Sequence, residues 1–370
     1  MTIDLKKKVL IVSNTSWSIY NFRLELARCL KKMGYEVAFC ASTDQYSELL
    51  KEEGFYLYGC EFGSGGGNLF QRLTSIIKFK KILNKFRPDF CLTFTLLPNL
   101  CAGFLNYKTN YKQIVNITGM GRAYIGGNLK KKVFDYIYKV ALRNTNLIFV
   151  QNKEDFLHFS NVLYFKNVAV LPGSGVNIRA FPKINSDTLY QNKNIIYIGR
   201  LINEKGIQEL ISVWKLIHKI LPEYSLKLIG KCNDVGIREQ IDEMPNTCYI
   251  GHSDNVFDIL KTGFLFVYPT KYREGTPRAI LEAMSIGLPV ITTNMPGCNE
   301  VVRDGENGYI CEPGDTRQLK FGIRKCCNLT FLDYDRLSNN AREQIVFNYS
   351  EDRIVKNYLR VMGVDYQNLL

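Results

Sequence analysis

Two successive series of short apolar runs, each followed by a helical pattern, constrain this chain more than any other feature. The first series runs "KVLIVSN", "FRLELARCLKKMG", "YEVAFCAS", a helix near residues 44–53, "FYLYGCEF", a basic helix, "DFCLTFT" and "QIVNITG". Continuous β-rich runs that alternate with helices predict parallel strands covered on both faces. "LIFVQN" and "VAVLPGSGVN" follow, and then "IRAFPKINSDTLYQNKN", polar and without an apolar period, which reads as a linker. A second series starts at "IIYIGRL" and continues through "SLKLIGK", "CYIGH", "FLFVYPT" and "PVITT" to "GYICEP". The expected architecture is α/β, with two doubly wound parallel-sheet domains facing across a cleft. The expected boundaries are 1–180, a linker over 181–194, 195–350, and a final helix over 351–370 that crosses back to the first domain. Ligands of such sheets bind beyond the carboxyl ends of the strands.

With 370 residues, 46% hydrophobic and 22% charged, disorder is not the expectation. No secretory signal is expected, because the apolar run in "MTIDLKKKVLIVSNTS" is short and leads into polar residues. The longest uncharged stretch, residues 90–107, holds Pro98, Asn99 and Gly103 in its middle and reads as a strand, a turn and a short buried helix. The 11 cysteines have neither metal-site nor disulfide-scaffold spacing, which fits a reducing cytoplasm.

Charge is unevenly spread. Residues 1–170 carry 24 Lys and Arg against 12 Asp and Glu, while the remainder carries 24 against 23. A basic half suits nucleic acid, an anionic membrane or acidic small molecules. "QRLTSIIKFKKILNKFRP" (71–88) and "NLKKKVFDYIYKVALRN" (128–144) interleave cations with apolar residues at helical spacing. That pattern fits an interfacial helix on anionic lipid, or a core-facing helix with a solvated basic back.

"YREGTPRAILEA" (272–283) places Glu274 and Glu282 around a helix start. Thr276 suits the N-cap, Pro277 the first helical position and Gly287 the C-terminal stop. The amides around Gly275 to Ala279 then offer an anion site at the sheet's carboxyl edge. A carboxylate on either side of a phosphate suits a diphosphate with a hydroxyl-rich group at each end, a nucleotide sugar. From spacing alone, Glu274 complementing the helix dipole and a solvated Glu282 are the simpler alternative. In "YIGRLINEKG", Arg200 and Lys205 could grip the same diphosphate, or be two solvated loop cations.

Taken together, "GRLINEKG", "YREGTPRAILEAMSIGLPVITT", "PGCNEVVRDGENGYICEPGD" and "NYSEDRIVKNYLRVM" resemble the donor half of glycosyltransferase family 4. These are retaining enzymes of the GT-B fold, with two Rossmann-like domains. The resemblance covers most of residues 195–362. It implies that Arg200 and Lys205 hold the donor diphosphate, Glu274 the sugar hydroxyls and Glu282 the ribose. Gly275, Thr276, Pro277 and Arg278 would line the sugar and phosphates. Arg200, Lys205 and Glu274 form the expected catalytic set, with no metal or other cofactor; the only DxD, "DYD" at 333–335, lies far from these motifs.

The front half is similar, through "SIYNFR", "FTLLPNLCAG" and "VNITGMGRAYIGG", to bacterial members that build surface polysaccharide such as O-antigen or capsule on undecaprenyl diphosphate. That implies a UDP-sugar donor, a polyprenyl-diphosphate-linked saccharide acceptor and a peripheral position on the inner face of the cytoplasmic membrane. Arg23, Arg122 and the glycines of "EFGSGGGNLF", Gly65 and Gly66 among them, are the expected acceptor-side residues. Two departures stand out: "SNTSWS" replaces the Gly-Gly turn often found after the first strand, and the only histidines are His158, His218 and His252. A nucleotide-sugar 2-epimerase on the same fold, and a basic nucleic-acid- or membrane-binding protein without catalysis, are the competing readings. No nucleic-acid recognition module is evident.

Overall fold

In the computed structural model, which describes residues 6–62, 69–106, 111–121 and 127–364, the chain divides into two units. The first comprises Met1–Ser174 and Val355–Leu370, the second Gly175–Ile354.

Each apolar run of the first series becomes a strand of one parallel sheet. Its strands are β1 (Lys8–Thr15), β2 (Glu36–Ser42), β3 (Tyr56–Gly59), β4 (Phe90–Phe94), β5 (Lys112–Ile117), β6 (Leu147–Val150) and β7 (Val168–Val170). The order is β3-β2-β1-β4-β5-β6-β7, so the winding direction reverses between β1 and β4. Val9 to Val12 of β1 are wholly buried, as expected for a strand covered on both faces. β1 passes directly into the helix Ser16–Lys32, where Thr15 caps the start by accepting from the Ser18 amide at 3.1 Å. Residues 90–105 form β4 and the helix Leu96–Leu105, as their composition predicts.

The final helix, Glu351–Val361, begins in the second unit, and from Val355 its residues belong to the first. There Tyr358 is fully buried, and its hydroxyl accepts from Asn116 at 2.8 Å.

The second unit repeats the plan with β8 (Asn194–Ile198), β9 (Ser225–Ile229), β10 (Thr247–Gly251), β11 (Gly263–Tyr268), β12 (Val290–Thr293) and β13 (Gly308–Cys311). The order is β10-β9-β8-β11-β12-β13, again all parallel, so the reversal falls between β8 and β11.

The segment expected as a linker, 181–194, is instead part of this unit. Asn185 caps a helix, Ser186–Gln191, that buries Leu189, and Phe181 joins the same core. The Ile184 amide donates to the Ile286 carbonyl at 2.9 Å, and the Arg342 guanidinium reaches the carbonyls of Ile178 and Phe181 at 3.3 and 2.8 Å. Phe181, Ile184, Leu189 and Tyr190, scattered among polar neighbours, dock the segment without giving it a visible period.

Both basic segments form helices, Leu69–Phe86 and Asn128–Leu142. The second buries Tyr138, Ala141 and Leu142 while Leu129, Val133 and Tyr136 stay exposed, at 77%, 50% and 69%. Lys130, Lys131 and Lys132 lie on the exposed part of this helix. Among the described residues no helix is long and apolar enough to cross a membrane.

Candidate active site

The reversal of strand order in the second sheet decides where its loops converge. β8 and β11 are hydrogen-bonded neighbours, and helices leave them toward opposite faces, so a crevice opens beyond their carboxyl ends. The loop after β8 carries Arg200 and Lys205, and the loop after β11 carries Glu274.

Close glycine contacts hold these loops in place. Gly206, in the left-handed conformation (φ 74°), ends the short turn Asn203–Lys205, and a β-carbon there would overlap the Pro269 carbonyl. The Lys271 amide donates to the Glu204 carbonyl at 2.8 Å, and Lys271 pairs with Glu209 at 2.7 Å. Gly297 (φ 80°) packs beneath Gly275 in the same way, which seats the loop that leads from Glu274 into the next helix.

Lys205 and Glu274 form an ion pair within this frame. Lys205 is 7% exposed, so it is not a solvated loop cation. Its ammonium donates to the Tyr268 hydroxyl at 2.7 Å and lies over the rings of Tyr268 and Tyr272 at 5.2 and 5.3 Å. The Tyr268 hydroxyl in turn donates to the Glu274 carboxylate at 3.2 Å, and the Thr270 hydroxyl adds a contact of 3.4 Å. Burial, reinforced by the Glu274 charge, pushes the Tyr268 phenol well up, so it stays a protonated donor. Tyr197 stacks on Tyr268 with centroids 6.2 Å apart, and its hydroxyl donates to the Arg200 carbonyl at 2.9 Å. The Arg200 side chain itself is exposed at the mouth.

The helix beyond Glu274 spans Arg278–Ser285, one residue later than the sequence suggests. Pro277 has an extended ψ of 117° and is the cap, without a side-chain capping bond, and Thr276 lies one residue outside it. Proline's fixed φ suits either position, so ψ decides. The Ile280 amide bonds the Pro277 carbonyl at 3.1 Å, and the chain leaves the helix at Gly287 with φ 96°.

Glu282 is buried rather than solvated and pairs with Arg278 one turn earlier at 2.6 Å. Burial raises its pKa, partly offset by Arg278. The site therefore presents a buried cation, an exposed guanidinium, helix amides and two carboxylates. The positive groups suit a diphosphate, and the carboxylates suit hydroxyls.

The remaining sequence candidates do not belong to these two loops. Arg23 is buried in the first unit, over the Phe94 ring at 4.0 Å and donating to Ser174 at 3.0 Å. Gly65, Gly66 and Arg122 lie outside the described residues. His158 is buried against Asp135 at 2.8 Å, and His252 is exposed beside Asp254 at 3.5 Å. Of the "DYD" acids, Asp333 lies in the first turn of the helix Phe331–Gln344, and Asp335 accepts from Ser186. The sequence analysis does not single out Tyr268, Tyr197 or Gly297; the tyrosine in "FLFVYPT", just before the Glu274 loop, is the available signal.

Residues 182–344 match the family model described as glycosyl transferases group 1, and residues 8–152 the one described as glycosyl transferase 4-like. One relative is the N,N'-diacetylbacillosaminyl-diphospho-undecaprenol alpha-1,3-N-acetylgalactosaminyltransferase of Campylobacter jejuni, 24% identical over 95% of this chain and 96% of its own. Another is the UDP-Gal:alpha-D-GlcNAc-diphosphoundecaprenol alpha-1,3-galactosyltransferase of Escherichia coli, 26% identical over 75% of this chain and 76% of its own. In fold the chain is similar to HepE of Anabaena in complex with UDP and glucose, with a TM-score of 0.78, 15% identity, and 96% and 99% of the two chains covered.

Two doubly wound parallel sheets give the GT-B fold, and the matching family models make the protein a glycosyltransferase. The chain belongs to glycosyltransferase family 4.

Proposed function

We propose that this enzyme transfers a sugar, a hexosamine such as N-acetylgalactosamine or N-acetylglucosamine, from a UDP-sugar to an undecaprenyl-diphosphate-linked saccharide with retention. The setting is surface-polysaccharide assembly, O-antigen or capsule, on the cytoplasmic face of an anionic membrane, with the enzyme bound peripherally. The observation that carries this reading is the buried Lys205–Glu274 pair beside the mouth of the helix Arg278–Ser285. It pairs a cation suited to phosphate with a carboxylate suited to hydroxyls. The names of the two lipid-linked relatives and the UDP and glucose held by HepE support the choice of acceptor and donor.

In the proposed reaction the bond from the sugar C1 to the diphosphate oxygen breaks, and a bond from C1 to the acceptor hydroxyl oxygen forms on the same face. The hydroxyl proton passes to the departing diphosphate. Arg200, Lys205 and the amides of Thr276 and Arg278 stabilise the charge that builds up there, each contributing about 3 kcal/mol if it acts like one oxyanion-hole donor. Glu274 and Glu282 orient the sugar and the ribose. No step calls for a metal.

The test is to incubate the protein in EDTA with UDP- and GDP-sugars and undecaprenyl-diphosphate-N-acetylglucosamine, with Glu274→Ala in parallel, and to follow lipid-linked product by mass. One donor giving a disaccharide that the variant does not make is the expected result. Conversion of a UDP-sugar to its 2-epimer, with no transfer, would replace this reading by the epimerase.

A further inference from the structure

We propose that Tyr268 is a positioning residue that sets how firmly Lys205 is held by Glu274 and so how readily the ammonium turns to the donor diphosphate. The inference rests on the nucleotide-sugar reading above and adds a residue to it.

The geometry behind it is a three-member relay. Lys205 donates to the Tyr268 hydroxyl at 2.7 Å, and that hydroxyl donates to Glu274 at 3.2 Å. The ammonium also pairs directly with the carboxylate. An ammonium has three donors, so Tyr268 and Glu274 leave one direction for a ligand. A phosphate that enters must compete with Glu274 for Lys205, while the sugar hydroxyls compete with Lys205 for Glu274. The two halves of the donor therefore pull the pair apart.

Among the described residues the phenol bonds both partners and can stay bonded to them as they separate, because it accepts from one and donates to the other. Without it, the direct contact between cation and anion carries more of the interaction, and at low exposure that pair tightens. Tyr268 itself cannot drift. It ends β11, is buried, and is stacked between Tyr197 and Phe266 with centroids 6.2 Å away on each side.

The test is a double-mutant cycle read by calorimetric binding of UDP. Wild type, Tyr268→Phe, Glu274→Gln and the double variant are compared, with melting curves to verify folding. Tyr334→Phe serves as the comparator: Tyr334 is equally buried, and its hydroxyl donates to the Phe264 carbonyl at 2.7 Å, near the start of β11 and away from the charged pair.

In the wild-type background Tyr268→Phe is expected to weaken UDP binding about fivefold or more, because the tightened pair withholds Lys205. In the Glu274→Gln background the same change is expected to alter it by less than about twofold, because the competing charge is gone. Glu274→Gln alone is expected to bind UDP at least as tightly as wild type.

Equal losses in both backgrounds, no loss in the first, or a matching loss in Tyr334→Phe would overturn the proposal. So would a Tyr268→Phe protein that fails to fold while Tyr334→Phe folds. Absence of UDP binding by the wild type is a different failure: it removes the nucleotide reading itself, and this inference with it.

Discussion

Gly297 lies so close beneath Gly275 that any side chain at 297 would collide with the Gly275 carbonyl. This contact seats the loop between Glu274 and the helix Arg278–Ser285, and it gives a prediction with an internal control. Gly305 has a similar positive φ, 73° against 80°, but nothing within 4 Å of its missing β-carbon. Gly305→Ala should cost only the backbone strain, about 1 kcal/mol. Gly297→Ala should cost more and also weaken donor binding about tenfold or more, since the loop must shift. Denaturant melts and UDP calorimetry on the two variants separate the effects.

Lys205→Ala should be unusually harmful to stability for a lysine. It leaves Glu274 buried without its counter-ion, a loss of about 3 kcal/mol or more. Glu274→Gln should be milder, because the amide still accepts from Tyr268 and Thr270. Both should lower transfer by about a hundredfold. Thermal unfolding that ranks the two the other way round would count against the pair as described.

Burial raises the Glu282 pKa above its ordinary value despite Arg278, so the folded protein binds that proton more tightly than the unfolded chain does. The sign follows: stability contributed by Glu282 is largest below the unfolded pKa and is lost as pH rises through the folded one. If its carboxylate receives ribose hydroxyls, nucleotide affinity moves the opposite way and falls as pH drops through the same window, above the ordinary glutamate range. UDP titrations across that window should show the fall in wild type and a flatter profile in Glu282→Gln.

The exposed face of the helix Asn128–Leu142 offers Leu129, Val133 and Tyr136 beside three consecutive lysines. Near an anionic surface each lysine contributes about 1 kcal/mol, so replacing Lys130, Lys131 and Lys132 by Gln should weaken binding to phosphatidylserine or phosphatidylglycerol vesicles about a hundredfold. Leu129→Ser with Tyr136→Ser should weaken binding to those vesicles even at low salt, where charge attraction is strongest. Flotation assays that find equal partition for all three proteins would remove the membrane assignment for this helix.

What the sequence disclosed divides along a physical line. The central strands of both sheets were legible because a strand buried on both faces must be apolar throughout. The loop positions of Arg200, Lys205 and Glu274 were legible because each follows a recognisable strand end. The environment of those residues was not. Whether Lys205 is solvated depends on Pro269, Tyr268 and Tyr272, which come from a strand and loop more than sixty residues further along. Glu282 gave no sign of burial because its neighbours in sequence, Leu281 and Ala283, are buried whatever it does. The segment 181–194 looked like a tether because its anchors, Phe181, Ile184, Leu189 and Tyr190, come at spacings that match neither helix nor strand.

The late return of the chain to the first unit makes that unit discontinuous in the gene. Tyr358 fills the first unit's interior against Phe94 and Phe149 and receives the Asn116 amide, yet it is translated only after the whole second unit. A ribosome releasing residues in order thus leaves the first sheet with an open socket until the last turns of helix emerge. A nonsense codon near residue 354 would then remove no part of the second unit and still produce a protein whose first unit is incomplete.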